Sequence, residues 1–174
     1  MLTPSPVQST YTRYLTVGQN GMPATMSGWD IDTRIAEDPA ATGIGFGLAV
    51  SQGTLHGDRS ACIGQLSGKP FIGITVADPT LPNINTTVTD KYQDTDNMAV
   101  AVRGDWWVTT LDNVAAGGPV YYDSATGQLG ASGIANAVQI LGATWMTSVP
   151  TTDTTMTTET GNLAVVRLVG IAAL

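Results

Sequence analysis

The feature that most constrains this chain is a series of short segments in which large apolar residues alternate with small or polar ones. The clearest are residues 44–50, 71–76, 98–102 and 138–146, and Gly, Pro, Asn or Asp residues interrupt the chain between them. A period of two places successive side chains on opposite faces of a β-strand. About eight or nine such segments follow one another, which favours an antiparallel sandwich or barrel.

The composition points in the same direction. The chain contains only two Glu and two Lys, against 26 Thr and 20 Gly. Thr and Gly are poor helix formers, whereas Thr suits a pleated, half-buried surface and Gly suits turns. Residues 131–143 are the one candidate for a short helix, and Gly133 and Gly142 weaken it. We therefore expect an all-β fold of jelly-roll or β-tulip type.

One segment predicts a hairpin in detail. Gly118-Pro119 leads into Val120-Tyr121-Tyr122, and residues 123–127 follow as a turn. The Asp123 side chain is expected to cap this turn, and Gly127 to close it in the left-handed conformation. Further strands are expected at residues 106–111 and 163–171.

The N-terminal residues 1–28 are rich in Thr, Pro, Gly and Ser and predict an extended arm ahead of a β domain at 29–174. Within the arm, residues 11–17 alternate well enough to form a short strand. The arm is either a frayed terminus or a segment that extends over a neighbouring subunit. The polar residues 77–97 predict an exposed loop, and they leave a possible subdivision of the β domain near residue 95.

The charge and the rare residues exclude several classes of protein. The formal net charge is −7, which argues against nucleic acid as a partner because phosphate binding needs clustered Lys and Arg. One Cys and one His exclude a disulfide framework and a Cys/His zinc site. No secretory signal or membrane span is recognisable, so a soluble protein made in a cytoplasm is expected. Only 12% of the residues are charged, which suggests a surface largely covered by other protein.

Residues that could carry chemistry are few. His56, with Asp58 and Ser60 nearby, fits a hairpin tip better than a catalytic triad, whose members are rarely this close in sequence. Cys62 stands between apolar neighbours and predicts a buried, inert thiol. We expect no catalytic residue and no cofactor.

Two clusters of carboxylates are candidate cation sites. They are Asp30 with Asp32, and Asp90 with Asp94 and Asp96. The spacing in neither cluster matches a calcium-binding loop, so solvated carboxylates are the better interpretation and no metal is expected.

Two other short motifs also have simple structural interpretations. Gly43, Gly45 and Gly47 lie inside a predicted strand, where a phosphate-binding loop cannot form. Arg103-Gly104-Asp105 matches a tripeptide bound by adhesion receptors, but a tight turn between two strands explains Gly104 without a receptor.

The four tryptophans are Trp29, Trp106, Trp107 and Trp145. Adjacent residues of a strand point to opposite faces, so one of Trp106 and Trp107 is expected in the core and the other outward or under a covering segment. Exposed Trp is enriched at protein interfaces and forms platforms for sugars. The candidate interaction residues are therefore Trp106 and Trp107, together with three residues of the arm: Tyr11, Arg13 and Tyr14.

Four stretches in the second half of the chain form a recognisable pattern: Gly104-Asp105-Trp106-Trp107-Val108, then residues 114–123, 141–143 and 163–168. Together they resemble the structural cement, or capsid decoration, proteins of tailed bacteriophages. The resemblance covers roughly residues 98–174. It implies a protein, not an enzyme, that binds the outside of a phage head and stabilises it by bridging major capsid protein subunits. It also implies a homodimer or homotrimer, with synthesis in the host bacterial cytoplasm.

Two other functions remain open from the residues alone. The first is a carbohydrate-binding β-sandwich or fibre domain with Trp106 or Trp107 as its platform. The second is a small hydrolase with Asp residues as acid and base, which lacks an evident carboxylate pair in a scaffold position.

Overall fold

The computed structural model describes residues 18–26, 28–38, 40–65, 68–78, 91–149, 157–158 and 161–170. Ten strands lie in these ranges: β1 (Asp30–Glu37), β2 (Ala49–Gln52), β3 (Ser60–Ile63), β4 (Phe71–Thr75), β5 (Asn97–Thr110), β6 (Pro119–Asp123), β7 (Leu129–Gly130), β8 (Ala137–Trp145), β9 (Thr157–Thr158) and β10 (Gly161–Leu168). The only helical element in the described ranges is the 3₁₀ turn Gly57–Arg59. The expected all-β fold is confirmed.

The strand pairings form two closed rings that share β5. The first ring runs β1-β3-β2-β4-β5 and returns to β1, with β1 parallel to β3 and the other pairs antiparallel. The second runs β5-β7-β6-β8-β10 and returns to β5, while β9 pairs with the outer part of β10. Of the predicted architectures, the barrel is the one the chain adopts. Closure into rings pairs strands that would otherwise be open edges.

Strand β5 is continuous over 14 residues and connects the two rings. We expected separate strands at 98–102 and 106–111 with a turn at Gly104, and this was wrong. Gly104 has a φ of +111° and bends the strand without ending it. The pairing continues through the bend, because Arg103 pairs with Asp30 of β1 and Gly104 pairs with Leu168 of β10.

Two hydrophobic clusters fill the interior. The larger one belongs mainly to the second ring and is built around Trp106, Trp145, Tyr122 and Leu129. The smaller one lies in the first ring and includes Ile44, Val50, Tyr92, Met98 and Val100. The larger cluster also takes in Ile74 and Val76 of the N-terminal half, so burial of apolar surface links both halves of the chain. The subdivision near residue 95 stays a prediction.

The strand predicted at 44–50 is only partly formed. β2 begins at Ala49, and Ile44 makes an isolated bridge to Tyr92. Between them Gly47 takes a φ of +68°, and its N–H donates to the Thr75 carbonyl at 2.8 Å. The Thr75 hydroxyl accepts from the Leu48 N–H and donates to the Gly45 carbonyl. The expected strand is wrong for residues 45–48, because these bonds fold the segment into a turn.

The exposed loop expected at 77–97 is wrong at its end, and residues 79–90 lie outside the described ranges. Tyr92 is fully buried, and its hydroxyl donates to the Val76 carbonyl at 2.8 Å. This burial raises the pKa of Tyr92 to about 12. The chain is therefore tied to the core five residues before β5 begins.

The strands predicted at 71–76, 138–146 and 163–171 are confirmed as β4, β8 and β10. The hairpin is confirmed as well, since β6 and β7 pair antiparallel. Asp123 accepts from the Ala125 N–H at 2.9 Å, and Gly127 has a φ of +72°. Residues 131–143 do not form a helix, because turns lead into β8 at Ala137. Among the described residues, no helix is long and apolar enough to span a lipid bilayer.

Candidate interaction surface

Residues 18–24, which the sequence assigned to the arm, lie along β5 as part of the fold. The Gly21 N–H donates to the Trp107 carbonyl at 2.7 Å, and the Trp107 N–H donates to the Met22 carbonyl at 2.8 Å. Asn20 adds two side-chain bonds, donating to the Phe46 carbonyl and accepting from the Thr109 N–H. Segment 18–24 therefore fixes the point from which residues 1–17 start. Those residues, with Tyr11, Arg13 and Tyr14, lie outside the described ranges.

The paired tryptophans have the two environments expected of them. Trp106 is fully buried, and its indole N–H donates to the Arg103 carbonyl at 3.0 Å. Trp107 lies under Gly18, where an added Cβ would come within 2.5 Å of the indole ring. Trp106 fills the core and has no exposed surface for a partner or a sugar, and Trp107 is half-buried beneath segment 18–24.

A surface groove of about 240 Å³ opens where the two rings meet at the bend of β5. Its walls are Gly28, Arg103, Gly104, Asp105, Arg167, Leu168 and Val169. Gly104 is required here, because a Cβ on this residue would lie 2.6 Å from the Cβ of Trp29. Trp29 packs edge-on against Trp106 with ring centroids 6.3 Å apart, so the core supports one side of the groove.

The floor of the groove holds a two-bonded ion pair. Arg167 Nε donates to Asp105 Oδ1 at 2.7 Å, and Arg167 Nη2 donates to Asp105 Oδ2 at 2.9 Å. The hydrogen bonds from Arg167 lower the pKa of Asp105, although burial opposes them. Asp105 is 8% exposed and its carboxylate is bonded to Arg167, so Arg103-Gly104-Asp105 does not present the free Asp that an adhesion motif requires.

Three exposed apolar side chains belong to segments that line the groove or are bonded to its lining. Trp29 is 43% exposed, Val169 66% and Leu141 79%. The Val169 N–H donates to the Gly142 carbonyl, which places the Leu141 segment of β8 beside the groove. Clustered exposed apolar groups with polar neighbours mark protein contact surfaces. We call the groove and these three side chains the groove surface.

The candidate catalytic residues His56 and Cys62 occupy positions that have a structural explanation. His56 lies exposed in the connection between the antiparallel strands β2 and β3, which confirms the predicted hairpin tip. Cys62 is buried with its Sγ 3.5 Å from the Ser51 hydroxyl, as expected for an inert thiol.

The carboxylates weighed for metal binding have protein partners. Asp94 accepts from the Asp38 N–H, and Asp96 accepts from the Gln93 N–H. On β1, Asp32 pairs with Arg34, and Asp30 lies 3.8 Å from Arg103. Asp90 lies outside the described ranges. Among the described residues, no three of His, Cys, Asp or Glu come together as metal ligands.

Sequence reasoning missed the groove surface. Its residues come from four separate segments, around 28, 104, 141 and 168, which the ring closure brings together. The one local signal was Gly104 between two charged residues, and it was interpreted as a turn.

Comparison with known proteins gives two matches to phage structural proteins. The model of the family described as "Structural cement protein (E217 gp24/Pam3 gp6)" matches residues 7–169. Among six solved chains with significant similarity, one from the capsid of Myoviridae phage XM1 superposes with a TM-score of 0.64 at 16% identity, covering 95% of this chain and 98% of that one. At that identity the likeness concerns the fold alone. No curated protein matches the sequence.

Proposed function

Because this chain belongs to the structural cement protein family, we propose that it binds the outer surface of a phage head and stabilises it by bridging major capsid protein subunits. The match of the family model to residues 7–169 carries this proposal. Family membership supports a capsid-associated structural role and a place in the virion. We propose, in addition, the outer position and the bridging of subunits.

The fold supports a structural role of this kind. Two closed rings share β5, so every strand of each ring is paired with a neighbour on both sides. The groove surface offers Trp29, Leu141 and Val169 to a partner, and sparse surface charge lowers the desolvation cost of covering the protein. We propose that the groove surface docks on the shell.

We propose that the N-terminal arm makes a second contact. Segment 18–24 is bonded to β5, so a pull on residues 1–17 would be transmitted to the rigid rings. We propose that Tyr11, Arg13 and Tyr14 contact a neighbouring subunit, and that the protein assembles as a homodimer or homotrimer. Many copies on one shell would offset a weak single contact through avidity.

We propose that the protein is made in the host bacterial cytoplasm, is not an enzyme, and acts without a cofactor, nucleic acid or membrane. The carbohydrate-binding alternative has less support than it had from the sequence, because Trp106 is buried and Trp107 is partly covered by segment 18–24.

The first experiment is the copy number of this chain in purified particles, measured by quantitative mass spectrometry against the most abundant shell protein. A ratio near one, or a simple fraction of it, supports a shell-covering cement protein. A handful of copies per particle would indicate a tail or fibre role instead, and absence from the particles would contradict the proposal.

The second experiment tests the arm. A chain that lacks residues 2–17 should fold, because Gly18 and the residues after it make the first described contacts with β5. We expect this variant to lose most of its binding to heads that lack the protein. Undiminished binding would exclude a role for Tyr11, Arg13 and Tyr14.

A further inference from the structure

Strand β1 is paired over only part of its length on one side. Its register with β5 runs from Asp30 to Ile35, but its pairing with β3 begins only at Ile35 and continues to Glu37. Beside residues 30–33, on the side away from β5, the described ranges contain no strand. We define the backbone of residues 30–33 on that side as the open edge. An unpaired edge is a template for an added strand, and proteins generally cover or blunt it.

The backbone groups at the open edge are directed outwards. The Ala36 N–H donates to the Asp96 carbonyl, so even-numbered residues of β1 face β5 and odd-numbered ones face away. Thr33 follows this alternation, because its N–H donates to the Asp32 carboxylate at 2.8 Å and not to β5. Ile31 and Thr33 therefore present N–H and C=O groups to a strand added at this edge.

The chain itself contains a segment of the type that such an edge accepts. Residues 11–17 alternate as a strand does, contain no Pro or Gly, and consist mostly of Tyr, Thr and Val, which strands favour. Strand addition joins backbone to backbone, and side chains on either side of the new pair add cross-strand contacts. Ile31 at the open edge is 40% exposed, so an aromatic or branched side chain of the added strand would cover apolar surface.

The arm leaves the fold at a point far from the open edge of its own chain. Segment 18–24 runs antiparallel to β5, beginning beside Thr109 and ending beside Asp105. The open edge lies beside the other half of β5, since Thr33 faces Ala99 in the register. Ten residue steps of strand separate positions 99 and 109, which is roughly 33 Å along β5. Even a right-angle bend in the middle would leave roughly 23 Å in a straight line.

Covalent geometry therefore prevents this pairing within one chain. An extended chain advances at most about 3.6 Å per residue, so the middle of residues 11–17 can lie no farther than about 14 Å from Gly18. Segment 18–24 also lies across β5 from β1, on the side of β4, because the Ala77 N–H after β4 donates to the Gly21 carbonyl. Residues 11–17 can pair along an open edge of this kind only in another copy.

Two open edges paired with each other fit less well. In antiparallel pairing, Ile31 of one copy would face either Ile31 or Thr33 of the other, and both registers place an Asp opposite an Asp. Like charges directly opposite each other destabilise a pair of strands. Among residues 1–17 the only charged side chain is Arg13, so the arm meets no such repulsion.

We propose that residues 11–17 of one copy add as a strand to the open edge of β1 in a neighbouring copy. This inference rests on the proposed function, which includes a homo-oligomer, and names the surface that holds the copies together. The open edge starts at the groove wall, where Asp30 pairs with Arg103, so the contact between copies is continuous with the groove surface. A copy docked on the shell through its groove surface is thereby tied to the next copy.

Disulfide trapping between two singly substituted proteins tests this contact. One protein carries Thr33→Cys, and the other carries a Cys at one of the positions 11–17, each replaced in turn so that every register is sampled. A cross-link between the two proteins can form only between copies, and native Cys62, 2% exposed, should stay unreactive. We expect cross-linked pairs at alternate arm positions. Replacing Thr33→Cys by Ser132→Cys, an exposed site in the turn before β8, should abolish them.

Self-association of the otherwise native chain provides a second measurement. Thr33→Pro removes an outward N–H and leaves the bonds between β1 and β5 in place, and Pro is tolerated at strand edges. Thr33→Val keeps the N–H and is the matched control. In sedimentation equilibrium we expect about tenfold weaker association for Thr33→Pro and no change for Thr33→Val. If Thr33→Pro melts at a lower temperature than Thr33→Val, the cross-links alone decide.

Other outcomes would overturn the arm as the occupant of the edge. These are the absence of any cross-link, or equal association of a stably folded Thr33→Pro and the wild type. Cross-linking of Thr33→Cys to itself would assign the edge to a second β1, and a disulfide within one chain to a Cys placed at 171–174 would assign it to those residues. None of these measurements uses phage heads, so the copy number in particles still decides the proposed docking on the shell.

Discussion

Asp105 and Arg167 face each other directly in the register of β5 and β10 and are joined by two hydrogen bonds of 2.7 and 2.9 Å. The pair lies at the floor of the groove, immediately after the bend at Gly104. A two-bonded Arg–carboxylate pair fixes orientation as well as distance. It therefore fixes the distance between β5 and β10 at the place where the groove surface is built.

The first prediction concerns this pair and pH. Arg167→Ala leaves the carboxylate of Asp105, a residue that is only 8% exposed, without its partner, so a lower melting temperature at pH 7 is expected. The pKa of Asp105 is lowered in the folded wild type, so its contribution is present above the unfolded pKa and is lost as pH falls through the folded one. The difference between wild type and variant should thus shrink below about pH 4. A difference that stays constant from pH 7 to pH 3 would show that the ion pair does not stabilise the fold.

The second prediction concerns the bend in β5. Gly104→Ala places a Cβ 2.6 Å from the Trp29 Cβ at a φ of +111°, and should cost about 2–4 kcal/mol in free energy of unfolding. Gly28→Ala is the matched control, because Gly28 also has a positive φ but has open space around the added Cβ. Its expected cost is about 1 kcal/mol. Urea denaturation measures both, and equal losses would mean that contact with Trp29 does not require glycine at 104.

The third prediction concerns the covering segment. Gly18→Ala brings a Cβ within 2.5 Å of the Trp107 indole, so segment 18–24 has to move away from β5. We expect faster cleavage within residues 18–26 by a protease of broad specificity, with the rest of the chain still resistant. Gly133→Ala, whose added Cβ has its nearest neighbour at 3.7 Å and whose φ is not left-handed, provides the control for a glycine replacement elsewhere. Identical cleavage of Gly18→Ala and wild type would show that Trp107 is not held under this segment.

The fourth prediction concerns the groove surface. Val169→Asp and Leu141→Asp each place a charge on its exposed apolar rim, where covering it by the shell would be costly. Both should weaken binding to heads by about tenfold or more, while Leu111→Asp should bind like the wild type. Retained binding by both rim variants would show that the docking surface lies elsewhere on the protein.

The sequence predicted the local elements well and the closure of the rings poorly. The alternation at 71–76 and 138–146 indicated β4 and β8, and Asp123 with Gly127 indicated the turn between β6 and β7. These are local properties of neighbouring residues.

The errors arise from long-range contacts. Alternation continues through residues 45–48, and only the bonds to Thr75, some 30 residues later, make this segment a turn. Gly104 was interpreted as a chain reversal because the sequence does not reveal that β1 and β10 continue the pairing on either side of it. The groove surface depends on the same kind of distant contacts, so it could not be derived from local patterns.

The last prediction concerns the tyrosines. Burial raises the pKa of Tyr92 to about 12, and burial also raises the pKa of Tyr122. In a spectrophotometric titration at 295 nm, these two of the five tyrosines should ionise later than expected for a free tyrosine near pH 10. Because the folded pKa of Tyr92 lies above the unfolded one, the contribution of Tyr92 to stability is present below pH 10 and is lost as pH rises towards 12. Unfolding should therefore accompany the late step, and in urea Tyr92 and Tyr122 should titrate near pH 10. Tyr92→Phe should remove one late proton at a stability cost of about 1 kcal/mol, since the Val76 carbonyl loses its donor. A single titration step near pH 10 in the native protein would mean that Tyr92 is open to water.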